Sequence, residues 1–342
     1  MLDNKLILIT GGTGTIGVAL TDYILANYNP KRIRIFSRDE TKQHDMRNKF
    51  NSLREKLRFF IGDIRDKERL IRAMKNVDIV FHLAALKHVL ASEYNPFEAI
   101  KTNIIGIQNL IEVAIDNEIE KVIFTSTDKA ASPCNTMGVT KLLGEKLITT
   151  ANYYKGDSKT IFASVRFGNV LGTRGSFIPL VKDQIMENSP ITLTHPDMTR
   201  YIMTIDKAIK IIFDSLTLSQ GGEVFVPKMD SIRIIDLIEV LIEHFSEKFN
   251  KSSEKIQIKE IGIFAGEKLY EELFSIEESE RTYELNDMFI IFPQLTEVSM
   301  KLDLNKYPKI SPFNHSKPFN SKGGPFLSKK QIHDFLIENK VI

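Results

Sequence analysis

Leu6-Ile7-Leu8-Ile9-Thr10-Gly11-Gly12-Thr13-Gly14-Thr15-Ile16-Gly17 passes from an apolar run straight into glycines at 11, 14 and 17. A short apolar segment with no polar alternation reads as a strand buried on both faces, and Gly17–Tyr28 behind it has helical periodicity. Strand, glycine loop and helix in that order make a cradle for a pyrophosphate. Gly11 permits the tight turn, Gly14 lets the backbone approach the phosphates, Gly17 allows close helix packing, and the helix N-terminus attracts the charge. Thr13, Thr15 and Ile16 complete this loop, whose GxxGxxG spacing differs from the GxGxxG of ordinary dehydrogenases.

Working outward, the same rhythm repeats. Ile33–Phe36, Leu57–Ile61, Ile79–Ala84, Val122–Ser126 and Ile161–Phe167 read as further strands, while Thr41–Leu53, Lys67–Lys75, Pro96–Asp116 and Met137–Tyr154 read as helices. Apolar strands alternating with helices predict an α/β fold: a doubly wound parallel sheet covered on each side, here of the dinucleotide-binding (Rossmann) type. After Gly168 the repeat weakens. A helix near Ile178–Glu187, a polar segment around Thr192–Arg200, a long amphipathic helix over Ile234–Phe249 and a strand near Ile256–Ile261 suggest a smaller α/β lobe for the substrate. The expected division is 1–168 for the dinucleotide-binding domain, its sheet completed by later segments, 169–304 mainly for the substrate lobe, and 305–342 for an irregular segment and a last helix. That helix, Ser328–Asn339, has Ser328 as its N-cap.

Composition narrows the function. In 342 residues, 46 Lys+Arg nearly cancel 44 Asp+Glu, so no broad electropositive field is available for nucleic acid or an anionic membrane. The single cysteine, Cys134, excludes an intrachain disulfide and a Cys-based zinc cluster and fits a reducing compartment. The seven histidines show no metal-ligand spacing, and no metal is expected. No run approaches the roughly 18 apolar residues of a membrane span, and the first residues do not read as a signal peptide, so a soluble, cytoplasmic protein is expected.

The adenosine end of a dinucleotide should lie about 20 residues beyond the glycine loop, where Ser37-Arg38-Asp39 closes the second strand. Arg38 suits a 2′-phosphate, which favours NADP, with NAD possible. Asp63 after the third strand is placed to take the adenine amino group, and Ala84-Ala85 after the fourth are small enough for a dinucleotide to pass closely.

Thr125-Ser126-Thr127-Asp128-Lys129 closes the fifth strand, and Met137-Gly138-Val139-Thr140-Lys141 opens the next helix. Here the chain resembles the extended short-chain dehydrogenases, whose usual trio is Ser or Thr plus Tyr-x-x-x-Lys. Within them it is similar to the soluble 4,6-dehydratases that act on UDP-N-acetylglucosamine. The strings that carry this are Ser37-Arg38-Asp39-Glu40, Ala84-Ala85-Leu86-Lys87-His88-Val89, Lys101-Thr102-Asn103, Ser126-Thr127-Asp128-Lys129-Ala130, Arg166-Phe167-Gly168-Asn169-Val170, Pro196-Asp197-Met198-Thr199-Arg200-Tyr201 and Gly266-Glu267-Lys268. The resemblance spans about residues 5 to 275, and along its cofactor path Lys42, Ile64, Lys87 and Asn103 join the residues named above.

Such a dehydratase oxidises C4 of the sugar, removes the C5 proton, expels the C6 hydroxyl as water and returns hydride to C6. It needs an acid and a base side by side. The resemblance assigns the acid to Asp128 and C5 proton abstraction to Lys129, with Thr127 and Lys141 beside them and Lys141 on the nicotinamide ribose. A lysine acts as base only if burial or a nearby cation lowers its pKa, and Lys141 is a candidate for that cation. Met137 stands where the superfamily has tyrosine, and a thioether cannot usefully exchange a proton. Some dehydratases of this group also carry methionine there, and the C4 hydroxyl proton is then left to Asp128 or to a water held by Thr127 and Lys141.

For the sugar nucleotide, the resemblance points to Lys87, His88, Asn169, Arg174, Arg200 and Glu267, arginine being suited to a diphosphate by its planar fork. Ile263-Phe264-Ala265 replaces a stretch where relatives often carry Arg-Pro, which leaves uracil and guanine both open as the base. The expectation is a nucleotide-sugar 4,6-dehydratase forming a 4-keto-6-deoxy product, assembled as a dimer or larger homo-oligomer. The alternatives are a 4-epimerase or reductase on the same scaffold, which would need no elimination base, and a non-catalytic NADP-binding sensor.

Overall fold

The computed structural model describes residues 1–173, 177–315 and 319–342. Six strands follow the alternation read above: β1 (Leu6–Thr10), β2 (Arg32–Ser37), β3 (Leu57–Ile61), β4 (Ile79–His82), β5 (Lys121–Thr127) and β6 (Ile161–Phe167). Beyond them lie β7 (Asn169–Val170), β8 (Ile191–Leu193), β9 (Thr199–Met203), β10 (Val224–Pro227), β11 (Asp230–Arg233), β12 (Ile258–Glu260), β13 (Thr282–Glu284), β14 (Met288–Ile291) and β15 (Ser311–Pro312). Among the described residues the main sheet has ten strands in the order β15-β13-β14-β10-β6-β5-β4-β1-β2-β3. The β3-to-β10 part is parallel, while β14, β13 and β15 add antiparallel pairs at one edge. This is the doubly wound α/β architecture expected.

Parallel pairing puts the C-terminal ends of β1, β2, β4, β5 and β6 along one rim. The chain moves from β1 to β2 and β3 on one side, and to β4, β5 and β6 on the other. A crevice between β1 and β4 is where this topology places ligands. Two apolar layers flank the sheet, one containing Ile7, Ile9, Ile35 and Ile123, the other Leu8, Val80, Val122 and Phe124, as alternation along doubly buried strands requires.

The smaller lobe packs Leu171, Ile178, Ile191, Met198, Leu237, Leu241 and Ile332 into a core of its own around β11-β9-β7 and β12-β8. Residues 169–304 do not serve that lobe alone, because β10, β13, β14 and the helix Ile205–Leu218 belong to the main sheet. The last helix, Lys329–Glu338, starts at Ser328 through a capping box with Gln331.

The segment Pro96–Asp116, expected as one helix, is broken. Pro96–Ile100 and Gly106–Asp116 are α-helical, and between them Lys101–Ile105 forms a π-turn in which Gly106 N–H donates to the Lys101 carbonyl. Gly106 is required there because a Cβ would lie 2.7 Å from the Ile64 side chain. π-turns are frequent at functional sites, and this one carries Asn103.

Candidate active site

The glycine loop is built as its sequence demands. Gly11 has φ +65°, and a Cβ on it would come within 2.7 Å of the Ala84 backbone, so β1 and the loop after β4 meet as closely as two main chains allow. Gly17 is closer still to its neighbour, a Cβ there lying 2.5 Å from Gly12. The helix Thr15–Asn27 begins at Gly14 with no side-chain cap and no acidic residue in its first turn. Its first-turn N–H groups can therefore face an anion, and the residues present fit the pyrophosphate of a dinucleotide.

At the adenosine end, Ser37 is nearly buried at the tip of β2. Asp39 caps the helix Glu40–Lys49, accepting from Lys42 N–H at 2.9 Å and pairing with Lys42 Nζ at 2.8 Å. The expectation for Asp63 needs correction, since its carboxylate is not free to wait for an adenine. Arg65 Nε and Nη2 donate to Oδ2 at 3.0 and 2.7 Å, and Arg65 N–H donates to Oδ1 at 2.9 Å. Burial works to raise its pKa, but these bonds together with the charges of Arg65 and Arg38 hold it below the ordinary carboxylate value. Arg38 Nη1 stands 3.6 Å from the same oxygen, and its side chain is 56% exposed. Sequence reading missed Arg65, which lies two residues past Asp63 and was open to notice as its nearest cation.

Ile64 is buried against Gly106. Asn103, also buried, has its side chain used inside the protein: Oδ1 accepts from Leu86 N–H at 2.8 Å, and Nδ2 donates to the Leu86 carbonyl and to Thr140 Oγ1, both at 3.0 Å. It clamps the loop after β4, which carries Ala84, Ala85 and the exposed Lys87 and His88, onto the helix Thr136–Tyr154.

That helix opens from Asn135, whose Oδ1 accepts from Gly138 N–H at 2.7 Å while its Nδ2 donates to the Gly266 carbonyl at 2.7 Å. Met137 is buried in its first turn, and Lys141 stands one turn later on the same face. Lys141 Nζ donates to the Thr125 carbonyl at 2.8 Å and lies 4.6 Å from the centre of the Phe124 ring. Burial lowers its pKa to about 8, against an opposing pull from Glu145. His82, at the end of β4, is buried, shares a 2.7 Å hydrogen bond with Thr10 Oγ1 and has a pKa of about 3, driven down by burial and then by the Lys141 charge. The imidazole is neutral at physiological pH.

The centre of the site is Asp128, fully buried just past β5. Thr127 Oγ1 and Lys129 Nζ both donate to its Oδ1 at 3.0 Å. Its Oδ2 is buried with no partner among the described residues, and a Cβ on Gly168 would sit 2.9 Å from it. Only glycine at 168 keeps that oxygen open. Lys129 reaches further, donating to Asn169 Oδ1 at 3.2 Å and standing 3.3 Å from Glu271 Oε1.

Lys129 corrects a second expectation. Burial does press its pKa down, but the Asp128 and Glu271 charges outweigh burial and the opposing Arg200, and its pKa is raised rather than lowered. The ammonium is held charged. Lys141, expected as the cation beside it, is not among the groups that shift it most. Asn169, expected on the substrate, is at least partly engaged by Lys129.

Glu271 was not read from the sequence, although it lies three residues beyond Gly266-Glu267-Lys268. It is 2% exposed, and its backbone is fixed by Ser321, whose Oγ accepts from Glu271 N–H at 2.9 Å and whose N–H donates to the Glu271 carbonyl at 2.8 Å. Arg200 is buried nearby, its Nε 3.7 Å from Glu271 Oε1 and its Nη1 donating to the Thr199 carbonyl at 2.8 Å. Glu267 closes a local turn by accepting from Phe264 N–H at 3.3 Å. Arg174 lies outside the described residues.

A dinucleotide cradle, a buried aspartate paired with a part-buried lysine past β5 and a lysine one turn into the following helix define a short-chain dehydrogenase type of enzyme on a Rossmann sheet. Residues 7–293 match the model of the polysaccharide biosynthesis protein family, and the chain belongs to that family. It is 43% identical over 306 residues to a UDP-N-acetylglucosamine 4,6-dehydratase (inverting) of Campylobacter jejuni, covering 89% of this chain and 88% of that one. A UDP-glucose 4-epimerase of Rickettsia bellii is 42% identical over 85% of this chain and 84% of its own. An uncharacterized membrane protein of Methanocaldococcus jannaschii is 52% identical over 98% of this chain and 96% of its own. In this chain, among the described residues, no helix is long and apolar enough to cross a membrane. The crystal structure of Pen from Bacillus thuringiensis superposes with a TM-score of 0.92 at 42% identity, covering 100% of this chain and 99% of that one. The relatives make this a nucleotide-sugar enzyme of the dehydratase and epimerase group.

Proposed function

We propose that this protein is an NADP-dependent UDP-N-acetylglucosamine 4,6-dehydratase, a lyase that forms a 4-keto-6-deoxy sugar nucleotide. The observation that carries this reading is the Asp128-Lys129 couple past β5, a fully buried carboxylate bonded to a part-buried ammonium, with one carboxylate oxygen that no described residue engages. Exchange of configuration at C4 requires no elimination acid and base, so an epimerase would leave that couple without employment. The nicotinamide supplies the acceptor for hydride from C4 and its donor to C6.

The chain's own residues divide the remaining work. Gly11, Thr13, Gly14, Thr15, Ile16 and Gly17 hold the pyrophosphate, Ser37, Arg38, Asp39 and Lys42 the phosphorylated ribose, and Ile64, Ala84 and Ala85 the adenine side of the path, while Asp63 holds Arg65 in place beside it. Lys141 binds the nicotinamide ribose. Asp128 protonates the departing C6 hydroxyl, Lys129 removes the C5 proton, and the C4 hydroxyl proton goes to Asp128 or to a water between Thr127 and Lys141, since Met137 cannot take it. For the sugar nucleotide the proposed contacts are Lys87, His88, Asn169, Arg200 and Glu267, with Arg174 proposed on the resemblance alone. UDP is preferred to GDP on the strength of the Campylobacter relative.

Leu90, Tyr94, Phe97, Val139 and Leu143 are exposed on helices that pack against one another beside this site, and we assign them to a homo-oligomer contact. The exposed free thiol of Cys134 supports a reducing, cytoplasmic setting. The decisive experiment incubates the purified protein with NADP and UDP-N-acetylglucosamine and follows the sugar nucleotide by mass spectrometry and NMR. Loss of one water is expected. An unchanged mass with inverted C4 identifies an epimerase, and no reaction with any nucleotide sugar identifies a sensor.

A further inference from the structure

The proposed chemistry leaves a difficulty that the geometry resolves. Lys129 is assigned the C5 proton, yet it is held as an ammonium and has no lone pair with which to take it. Its proton must first leave. Asp128, although 3.0 Å away, is poorly suited to receive it when it takes up the C4 hydroxyl proton that it then passes to the C6 hydroxyl.

Glu271 is the other carboxyl within reach. Its Oε1 stands 3.3 Å from Lys129 Nζ, it is 2% exposed, and its Oε2 is buried with no partner among the described residues. The Ser321 contacts hold its backbone from both sides, and Ser321 Oγ is in turn 2.8 Å from Thr199 Oγ1 next to Arg200. We infer that Glu271 accepts the Nζ proton of Lys129, turning a charged pair into a neutral amine and a neutral carboxylic acid before the C5 step. One N–H bond breaks and one O–H bond forms, with no change in total charge. The amine lone pair then takes the C5 proton, and Glu271 returns its proton when C5 has been reprotonated.

This rests on the reading of Lys129 as the base proposed above. It makes Glu271 a positioning residue that acts through Lys129, never on the sugar. The charges acting on the pair are Asp128 beside Lys129, Arg200 from β9, and Lys268 from the segment of Glu271 itself; Tyr201 on β9, raised by burial, Asp128 and Glu272, is a neutral phenol. Burial raises the Glu271 pKa, with Asp128 adding to it and Lys129, Arg200 and Lys268 opposing. Covering the site with a substrate removes water and penalises both charged forms together, which moves the pair toward its neutral arrangement.

The test uses the full chain loaded with NADP and UDP-N-acetylglucosamine in deuterated water, reading deuterium entry at C5 and product formation from neutral to alkaline pH. Wild type should be flat across the neutral range. Glu271→Gln should be slower by about 100-fold at neutral pH and recover by about tenfold per pH unit as solvent takes over the deprotonation of Lys129. Glu271→Asp keeps the charge but withdraws the carboxyl from reach, and should show the same pH-dependent loss; it carries the test if the glutamine variant does not fold. A near-wild-type rate in either variant, or a loss equal at every pH, overturns the proposal. Lys129→Met separates the two readings: it should lose C5 exchange with no alkaline recovery, and if it retains exchange, the assignment of Lys129 fails before that of Glu271 is reached.

Discussion

Replacing Arg166 by methionine isolates a charge cluster that supports the site from behind. Arg166 is fully buried on β6, two residues before Gly168. Its Nε and Nη2 donate to Glu145 at 3.0 and 2.5 Å, its Nη1 and Nη2 to Glu278 at 2.8 and 3.0 Å, and its Nη1 to the Leu273 carbonyl at 3.0 Å. Methionine fills much of the space but takes the shared cation from two buried carboxylates, leaving Glu278 only the more distant Arg281 at 3.8 Å, which costs roughly 3 to 5 kcal/mol. The pH dependence gives a second check. Burial acts to raise the Glu278 pKa, but Arg166 lowers it from 4.5 to about 2. That difference corresponds to roughly 3 kcal/mol, present above the ordinary glutamate pKa and lost as the pH falls toward the folded value.

In the variant Glu278 is free to take up a proton, so the stability gap to wild type should be widest at neutral pH and narrow on acidification. Urea unfolding followed by far-UV circular dichroism, at one protein concentration and two pH values, measures both quantities. A loss below about 1 kcal/mol at neutral pH, or a gap of constant size, would refute the electrostatic account. Glu145 lies one helical turn beyond Lys141 and raises its pKa, so the same variant should also move the lysine titration upward.

Asp128→Asn and Lys129→Ala should each bind the nicotinamide cofactor with near-normal affinity while turnover drops by at least about 100-fold, measured by fluorescence titration and product formation. Arg38→Ala should weaken NADP binding by about tenfold or more and leave NAD nearly unchanged; equal losses for both would place the 2′-phosphate elsewhere. Tyr94→Lys, introducing a charge at a side chain 79% exposed, should shift the protein toward monomer in sedimentation velocity without altering its circular dichroism, and a wild type that already sediments as a monomer removes the proposed contact.

The fold was legible because it is written in short-range pattern. β1, β3 and β6 fall at the residues the apolar runs mark, and β4 ends two residues early only because the run continues into the rim loop at Leu83 and Ala84. In the later half the helices Phe177–Met186 and Ile234–Lys248 and the short β12 were read from pattern, but β9, β10 and β14, four or five residues long with partners from distant segments, escaped. The helix Ile205–Leu218, capped by Thr204 Oγ1 accepting from Lys207 N–H at 3.1 Å, had a readable signal and was passed over. The site divides in the same way. Glycines and the Asp128-Lys129 couple are local in the chain. Arg65 is a near neighbour of Asp63 in the chain, but Arg38 beside Asp63, and Glu271 and Asn169 beside Lys129, depend on which groups converge in space. The direction of the Lys129 shift turned on one such group, 142 positions along the chain.

The placement of β10 between β6 and the antiparallel edge constrains how this molecule can be made. Until the chain has been synthesised past Val224–Pro227, the β6 margin of the sheet has no neighbour, and a fragment ending near residue 168 would present that open margin to other molecules. The nucleotide-binding half is therefore not a portable module: severed from its C-terminal half, it should aggregate rather than stand alone.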